Sequence, residues 1–344
     1  MKTLWIHAGM PKCGSSALQV FLAKNRQRLL AEGIDYLALS DLSQAKKGGI
    51  TSGNAGFLSR SMLDKADEGY FQDDGTLYQS LLDAVSNTKT ESCLLSSEFF
   101  AFVGTDAYRK LLEDLRAQDC QAKCIYYVRR QDQVLVSGYM QKVKRHHYTG
   151  DPETFVRDTY QEYVLLRYYD SARRFEQLFG AGNLIVGLYE ATQRHPKGIA
   201  GDFLAKLLGH CPKWVAPQPA VNPSPSPVEL KLMLAANRYR PRMRFSDILA
   251  ANSAGSGRSR PYERHHLLAP AMTETVLDYF AEQNQLLAEH YTHGEAFPPY
   301  QASPHLDLNN IPVDADDLMD IVAGFLVNFD QRLAKLEQSA VSSG

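Results

Sequence analysis

The chain has 344 residues, 44% hydrophobic and 22% charged, with 18 Tyr and 15 Phe. That composition excludes a disordered chain, and the length suits one large α/β domain with an appendage or two domains. A formal net charge of −2 lacks the basic excess of a general nucleic-acid binder, yet it leaves room for a local anion site, which a net total does not reveal.

Thr3 to Ala8 is a short apolar run ending at Gly9 and predicts a buried strand. From Ser15 to Leu30, apolar residues recur at helical spacing (Leu18, Phe21, Leu22, Leu29, Leu30), and Gly33 follows as a stop. Ile34 to Leu39 predicts a second strand. Ala45 to Asp74, rich in Gly, Ser and charge, predicts a loop with a short helix. A helix over Thr76–Val85 leads to a third strand, Ser92–Ser97, which ends at Glu98. A helix over Asp106–Ala117, with Leu111, Leu112 and Leu115 on one face, leads to a fourth strand, Ala122–Val128, ending at Arg129. Gln131–Arg145 predicts a helix, and Glu153–Phe179 one long helical region rich in Tyr. Asn183–Leu188 predicts a fifth strand that ends at Tyr189-Glu190, with a helix over Ile199–Leu208 behind it.

Strands alternating with helices as far as about Gly209 predict a three-layer α/β fold, a parallel sheet flanked by helices. Five prolines between Ala216 and Pro227 then interrupt regular structure. Helices follow near residues 228–240, 270–290 and 314–336, and residues 251–260 read as a flexible basic loop. The expected division is an α/β nucleotide-binding catalytic core over residues 1–215. A Pro-rich linker and helical C-terminal region over residues 216–344 is expected to pack on that core and complete its site.

The five cysteines, Cys13, Cys93, Cys120, Cys124 and Cys211, are odd in number and scattered. Cys120 and Cys124 lie four apart with no second pair to complete a zinc knuckle. Cys93 and Cys124 sit in apolar runs and read as buried thiols, which favours a reducing compartment. No window approaches the ~20 apolar residues of a membrane span, and Met1 leads straight into a strand without room for a secretory leader. A soluble, cytoplasmic protein is the expectation.

The turn after the first strand carries the functional signal. A strand, a Gly-rich turn and a helix N-terminus together form a ready anion site, because the helix start offers unpaired N–H groups and the positive end of its dipole. Gly9-Met10-Pro11-Lys12-Cys13-Gly14-Ser15-Ser16 has that layout. In the triphosphatase loop G-x-x-x-x-G-K-[ST], a lysine and then a Mg²⁺-binding hydroxyl follow the second glycine. Here Gly9 and Gly14 keep the separation, but Ser15 stands at the lysine position and the lysine lies inside the loop as Lys12. No hydroxyl follows a lysine to hold Mg²⁺, which argues against an ordinary kinase or ATPase.

The pattern Pro-Lys-x-Gly-Ser-Ser after a first strand resembles the 5′-phosphosulfate loop of sulfotransferases that use 3′-phosphoadenosine 5′-phosphosulfate (PAPS) and release adenosine 3′,5′-bisphosphate. In that family an Arg at a strand end and a Ser eight positions later bind the 3′-phosphate, and Arg129 and Ser137 stand at that spacing. An Arg forks onto phosphate oxygens, and a Ser two turns into the helix shares its face. Alone, Arg129-Arg130 would read as a surface pair. The resemblance further implies that Pro11, Lys12, Cys13, Gly14, Ser15 and Ser16 hold the 5′-phosphosulfate. It also implies that Tyr189, after the fifth strand, contacts adenine, and that Gly257 and Arg258 belong to a late basic loop closing over the 3′-phosphate. Ala17 stands where cytosolic members carry a Trp stacked on adenine.

Lys12 is the expected stabiliser of charge developing on the leaving phosphate oxygen. Glu98, at the carboxyl end of the third strand, is the expected base for the acceptor hydroxyl, since strand ends of a parallel sheet face the ligand crevice; a capping or ion-paired Glu is the plain alternative. His7 reads as a satisfied buried histidine. The adjacent pairs His146-His147 and His265-His266 make poor metal sites, and no metal is implied. Lys142, Lys144 and Arg145 with the first pair form a basic patch. The resulting expectation is sulfuryl transfer to a hydroxyl acceptor, a sugar of a glycan or glycolipid. A P-loop kinase using ATP and Mg²⁺ and a non-catalytic nucleotide-binding module are the alternatives.

Overall fold

A computed structural model describes residues 1–217, 225–239, 249, 267–302, 305–308, 310–311 and 315–341. The elements run β1 (Lys2–Ala8), α1 (Ser15–Lys24), α2 (Arg26–Ala31), β2 (Ile34–Tyr36), α3 (Ser43–Lys46), α4 (Gly56–Ser61), α5 (Thr76–Asn87), β3 (Ser92–Ser97), α6 (Thr105–Ala117), β4 (Cys120–Val128), α7 (Gln131–His146), α8 (Pro152–Thr159), α9 (Tyr168–Phe179), β5 (Leu184–Leu188), α10 (Tyr189–Arg194), α11 (Gly198–Leu208), α12 (Pro227–Tyr239), α13 (Pro270–Tyr279), α14 (Ala281–Tyr291) and α15 (Ala315–Val341). Short 3-10 turns cover Glu98–Ala101 and Val164–Leu166.

The five strands form one all-parallel sheet in the order β2-β3-β1-β4-β5, flanked by helices as expected. Strands buried on both faces read as continuous apolar runs, and Leu4, Ile6, Cys93, Leu94, Leu95, Ile125 and Tyr126 are sealed from solvent. β1 is the central strand. Its connection leads to one side of the sheet and that of β4 to the other, so a crevice opens at the carboxyl ends of β1 and β4.

Three helical expectations are corrected. The helix expected over Ser15–Leu30 breaks at Asn25 (φ −105°, ψ 18°), whose Nδ2 donates to Phe21 O at 2.9 Å. The long region over Glu153–Phe179 is two α-helices separated by non-helical backbone at Tyr163 and Arg167 with a 3-10 turn between them. α8 opens on Asp151, whose carboxylate accepts from Thr154 N–H at 2.9 Å with Pro152 at the first helical position. Before α9, the buried Tyr168 hydroxyl donates to Arg129 O at 2.6 Å. That tertiary bond fixes where α9 begins, although no Gly or Pro marks the place. The third helix, expected over Pro270–His290, divides at Phe280.

The chain forms two compact units interleaved along the sequence, where one boundary near residue 215 was expected. The first comprises Met1–Val134, Tyr163–Pro223 and Leu277–Pro299; the second comprises Leu135–Glu162, Ser224–Val276 and Tyr300–Gly344. The first holds the whole sheet. The second has its own core, in which Tyr139, Val143, Leu230, Met233 and Leu267 pack together. Among the described residues, no helix is long and apolar enough to cross a membrane. All five cysteines are free, and four of them are buried.

Candidate active site

The loop joining β1 to α1 turns through two residues in the left-handed region, Lys12 (φ 71°) and Gly14 (φ 80°). A non-glycine residue there is uncommon and persists only where its surroundings hold it. Met10 N–H donates to Tyr127 O and Cys13 N–H to Met10 O, each at 3.3 Å. Arg129 Nη1 donates to Lys12 O at 3.1 Å. The loop is thus fastened to the end of β4 through the backbone of its own lysine. Neither framing glycine tolerates a side chain. A Cβ on Gly9 would lie 2.5 Å from Ser15 Oγ and 3.0 Å from His7 Nε2, and one on Gly14 would lie 2.9 Å from both Tyr189 and Ile199.

Three polar atoms at this end of β1 are buried without a hydrogen-bond partner: Ser15 Oγ, His7 Nε2 and Gln19 Nε2. Orphaned buried polar groups are rare in a folded protein and call for a reason. Ser15 opens a 10-residue helix whose first N–H groups are also unpaired. A buried hydroxyl at a helix N-terminus, under a turn too tight for any Cβ, fits a phosphate group of a bound nucleotide. Pro11 and Ser16 are half-buried. Cys13 is sealed in, and burial holds its thiol well above the ordinary value.

The pairing of β1 with β3 sets Ala8 beside Ser97, which brings Glu98 next to the loop. Glu98 starts the 3-10 turn capped by Ser97, whose hydroxyl accepts from Phe99 N–H at 3.2 Å. Burial raises the Glu98 pKa, and the nearby Lys12 ammonium pulls part of that rise back. The two residues singled out for chemistry therefore sense each other's charge. Tyr163, between α8 and α9, also feels Glu98 and Cys13. Sequence reasoning missed it, because the region around it reads as continuous helix.

On the other flank, the Arg129 guanidinium lies over the Tyr189 ring at 5.0 Å, and its Nε donates to Gln133 at 3.0 Å. Its neighbour Arg130 turns away into a buried ion pair with Asp132 at 2.7 Å and donates to Pro298 O at 3.0 Å. The twin arginines thus divide into one that faces the loop and one that ties down the fold. Glu190 is a second missed residue. It is buried, accepts from Arg130 N–H at 2.9 Å, and has a raised pKa caused first by burial; only its place at a strand end marks it in the sequence.

His7 is half-satisfied rather than satisfied. Its Nδ1 lies 2.8 Å from Ser96 Oγ, while Nε2 has no partner, and burial lowers its pKa to about 3. The imidazole is therefore neutral at any physiological pH.

Beside Glu98, the Phe99 ring lies under the Arg60 guanidinium at 5.5 Å. Arg60 Nε donates to Gly69 O at 2.6 Å, and Arg60 O accepts from Phe71 N–H at 3.2 Å. Phe71 tilts against Phe57 (centroids 5.0 Å apart), and both line an open depression of about 760 Å³ with Gln72, Asp73, Asp74, Thr76 and Leu77.

The structure therefore brings together Lys12, Ser15, Glu98, Arg129 and Tyr189. Ser137 lies on α7 within the second unit, half-buried. Gly257, Arg258 and the pair His265-His266 lie outside the described residues. Among those described, no three His, Cys, Asp or Glu side chains gather as a metal site.

No protein-family model and no curated protein matches the chain. Solved structures with a similar chain path include a sulfotransferase from Alicyclobacillus acidocaldarius, 16% identical with a TM-score of 0.44 over 84% of this chain and 95% of that one. Another is a retinol dehydratase in complex with androsterone and the inactive cofactor PAP, 13% identical with a TM-score of 0.38 over 85% and 82%. A mouse sulfotransferase complexed with PAP is 12% identical, with a TM-score of 0.34 over 85% and 86%. Likeness this distant says nothing of activity, which rests on the residues at the loop end of the sheet.

Proposed function

We propose that this chain is a sulfotransferase that moves a sulfuryl group from PAPS to a hydroxyl acceptor, a sugar of a glycan or glycolipid. The observation that carries the reading is the register of β1 on β3, Ala8 beside Ser97, which sets the loop of Lys12 next to Glu98. A transfer of this type needs a cation at the leaving oxygen and a base at the attacking hydroxyl, held on either side of the group in flight. Burial raises the Glu98 pKa towards the value at which a carboxylate serves as a general base near neutral pH.

The donor supplies the sulfuryl group and a phosphate leaving group. In this reading Pro11 shapes the loop, and Lys12 neutralises charge on the leaving oxygen. The Gly14 N–H, with the Ser15 and Ser16 hydroxyls, holds the 5′-phosphate. Arg129 takes the 3′-phosphate, and Tyr189 lies against adenine. The aromatic faces of Phe57 and Phe71, with amide and carboxylate groups around them, suit a ring that is apolar on its faces and polar at its edge, which supports a sugar acceptor. Buried free thiols support a reducing, cytoplasmic setting.

The test is thermal stabilisation by adenosine 3′,5′-bisphosphate against ATP with Mg²⁺. A ligand at a hundred times its dissociation constant adds about 2.7 kcal/mol, and the bisphosphate alone is expected to do so. Equal shifts, or a shift with ATP only, would overturn the reading in favour of a kinase. A screen for transfer of labelled sulfate then separates an enzyme from a binding module.

A further inference from the structure

Helix α15, Ala315–Val341, is the longest among the described residues at 27 residues, about 40 Å end to end. Ile321 and Phe325 pack against the core that contains Tyr139 and Leu230. A second apolar stripe runs elsewhere on the helix. Met319, Val322, Leu326, Phe329, Leu333 and Leu336 are each between 44% and 67% exposed. Their spacings of three, four, three, four and three residues are an unbroken heptad pattern, in which Met319, Leu326 and Leu333 take position a and Val322, Phe329 and Leu336 take position d. At about 100° per residue, this stripe lies roughly a quarter of a turn from the face that carries Ile321 and Phe325. From Phe329 to Gln338 every described residue is exposed. An apolar stripe left in water forgoes the stabilisation of burial.

We propose that α15 pairs, parallel and in register, with the same helix of a second copy of this chain, forming a two-stranded coiled coil along this seam. The 3.5-residue period is what a helical partner of the same period requires. The flanking charges choose the partner and its direction. Arg332 falls at position g and Glu337 at position e of the following heptad, the two positions that face each other across a parallel pair. Two symmetric ion pairs result. An antiparallel pair would set e against e, where Asp330 and Glu337 are both acidic, and like charges there repel. A lipid surface fits poorly, because helices that lie on membranes carry basic polar faces, whereas α15 holds five acidic and two basic residues in its sequence. The proposal stands whatever the loop end of the sheet binds.

Sedimentation of the full chain over micromolar to hundred-micromolar concentrations tests it. A two-chain mass is expected, and one chain, or more than two, overturns it. Leu326→Asp is expected to raise the dissociation constant at least about a hundredfold, since the charge enters the seam twice. The exposed site leaves the fold intact, checked by an unchanged melting curve for the monomer. Arg332→Glu alone should weaken pairing about three- to tenfold; combined with Glu337→Arg it should return to within about twofold of the native value. A failure of that rescue removes the ion pairs from the account. Leu336→Cys, in a Cys211→Ser background, should cross-link chain to chain under mild oxidation. No cross-link would overturn the parallel register.

Discussion

The loop end of the sheet and helix α15 depart from ordinary burial in opposite directions. Around β1 and α1, polar atoms are inside without partners: Ser15 Oγ, His7 Nε2 and Gln19 Nε2. Along α15, large apolar side chains are outside, Leu326 and Phe329 at 66% exposure each. A fold working only for its own stability would exchange these, because unpaired buried polar groups cost about 1–3 kcal/mol each and exposed apolar stripes forgo burial. The two proposals complete each region with another molecule, an anion at the first and an apolar helix at the second. The difference is that the loop end selects by hydrogen bonds and charge, whereas the helix selects by shape and period.

The sharpest way to break the comparison is at Glu98. Glu98→Gln should lower kcat by about 10²–10⁴, the range of a general base, while adenosine bisphosphate binding stays within about twofold. The stability change has the opposite sign. Burial raises the folded pKa of Glu98, so its contribution to stability is fully present below the unfolded value and is lost as pH rises through the folded one. The variant should therefore melt higher than the native protein at pH 7.5 and equally at about pH 4, the unfolded carboxyl titrating near 4.3. A Glu98 that merely caps its turn would give lower stability and unchanged turnover.

Most of the loop end was legible in the sequence. Four of the five strands end at a residue that breaks the apolar run, Gly9, Glu98, Arg129 or Tyr189, and parallel strands place those changes at one edge of the sheet. The displaced lysine and the Arg129 spacing are local patterns of the kind a sequence records directly. What escaped depends on contacts between distant segments. The break before α9 has no Gly or Pro, only the Tyr168 bond to Arg129 O. Glu190 and Tyr163 carry no motif and matter because burial surrounds them. The interleaved units follow from packing between segments far apart in the chain. The C-terminal helix was legible as a helix, but which of its apolar residues face solvent depends on the core it meets.

His7 sharpens the polar half of the comparison. Its folded pKa is lowered to about 3 by burial, so the unfolded chain binds its proton first. The stabilising contribution is full above the unfolded value near 6.5 and is lost as pH falls through 6.5 towards 3. At a slope of 1.36 kcal/mol per pH unit, about 2 kcal/mol should disappear between pH 6.5 and pH 5. Denaturant unfolding at the two pH values measures it. His7→Gln should flatten that acid limb, and an unchanged limb would place the titration in another group.

Ser15→Ala has the smallest expected effect and discriminates most directly between a fold flaw and a binding site. Its hydroxyl is buried and bonded to nothing in the protein, so removing it relieves an unmet desolvation cost. The free protein should be unchanged in stability or gain up to about 1 kcal/mol, where a hydroxyl that braced the loop would lose a similar amount. Binding should move the other way. A hydrogen bond to a charged group contributes about 1.5–3 kcal/mol, so adenosine bisphosphate should bind at least about tenfold more weakly, measured by calorimetry. The native hydroxyl then lowers the stability of the empty loop and raises the affinity of the filled one, a combination that a purely structural serine cannot produce.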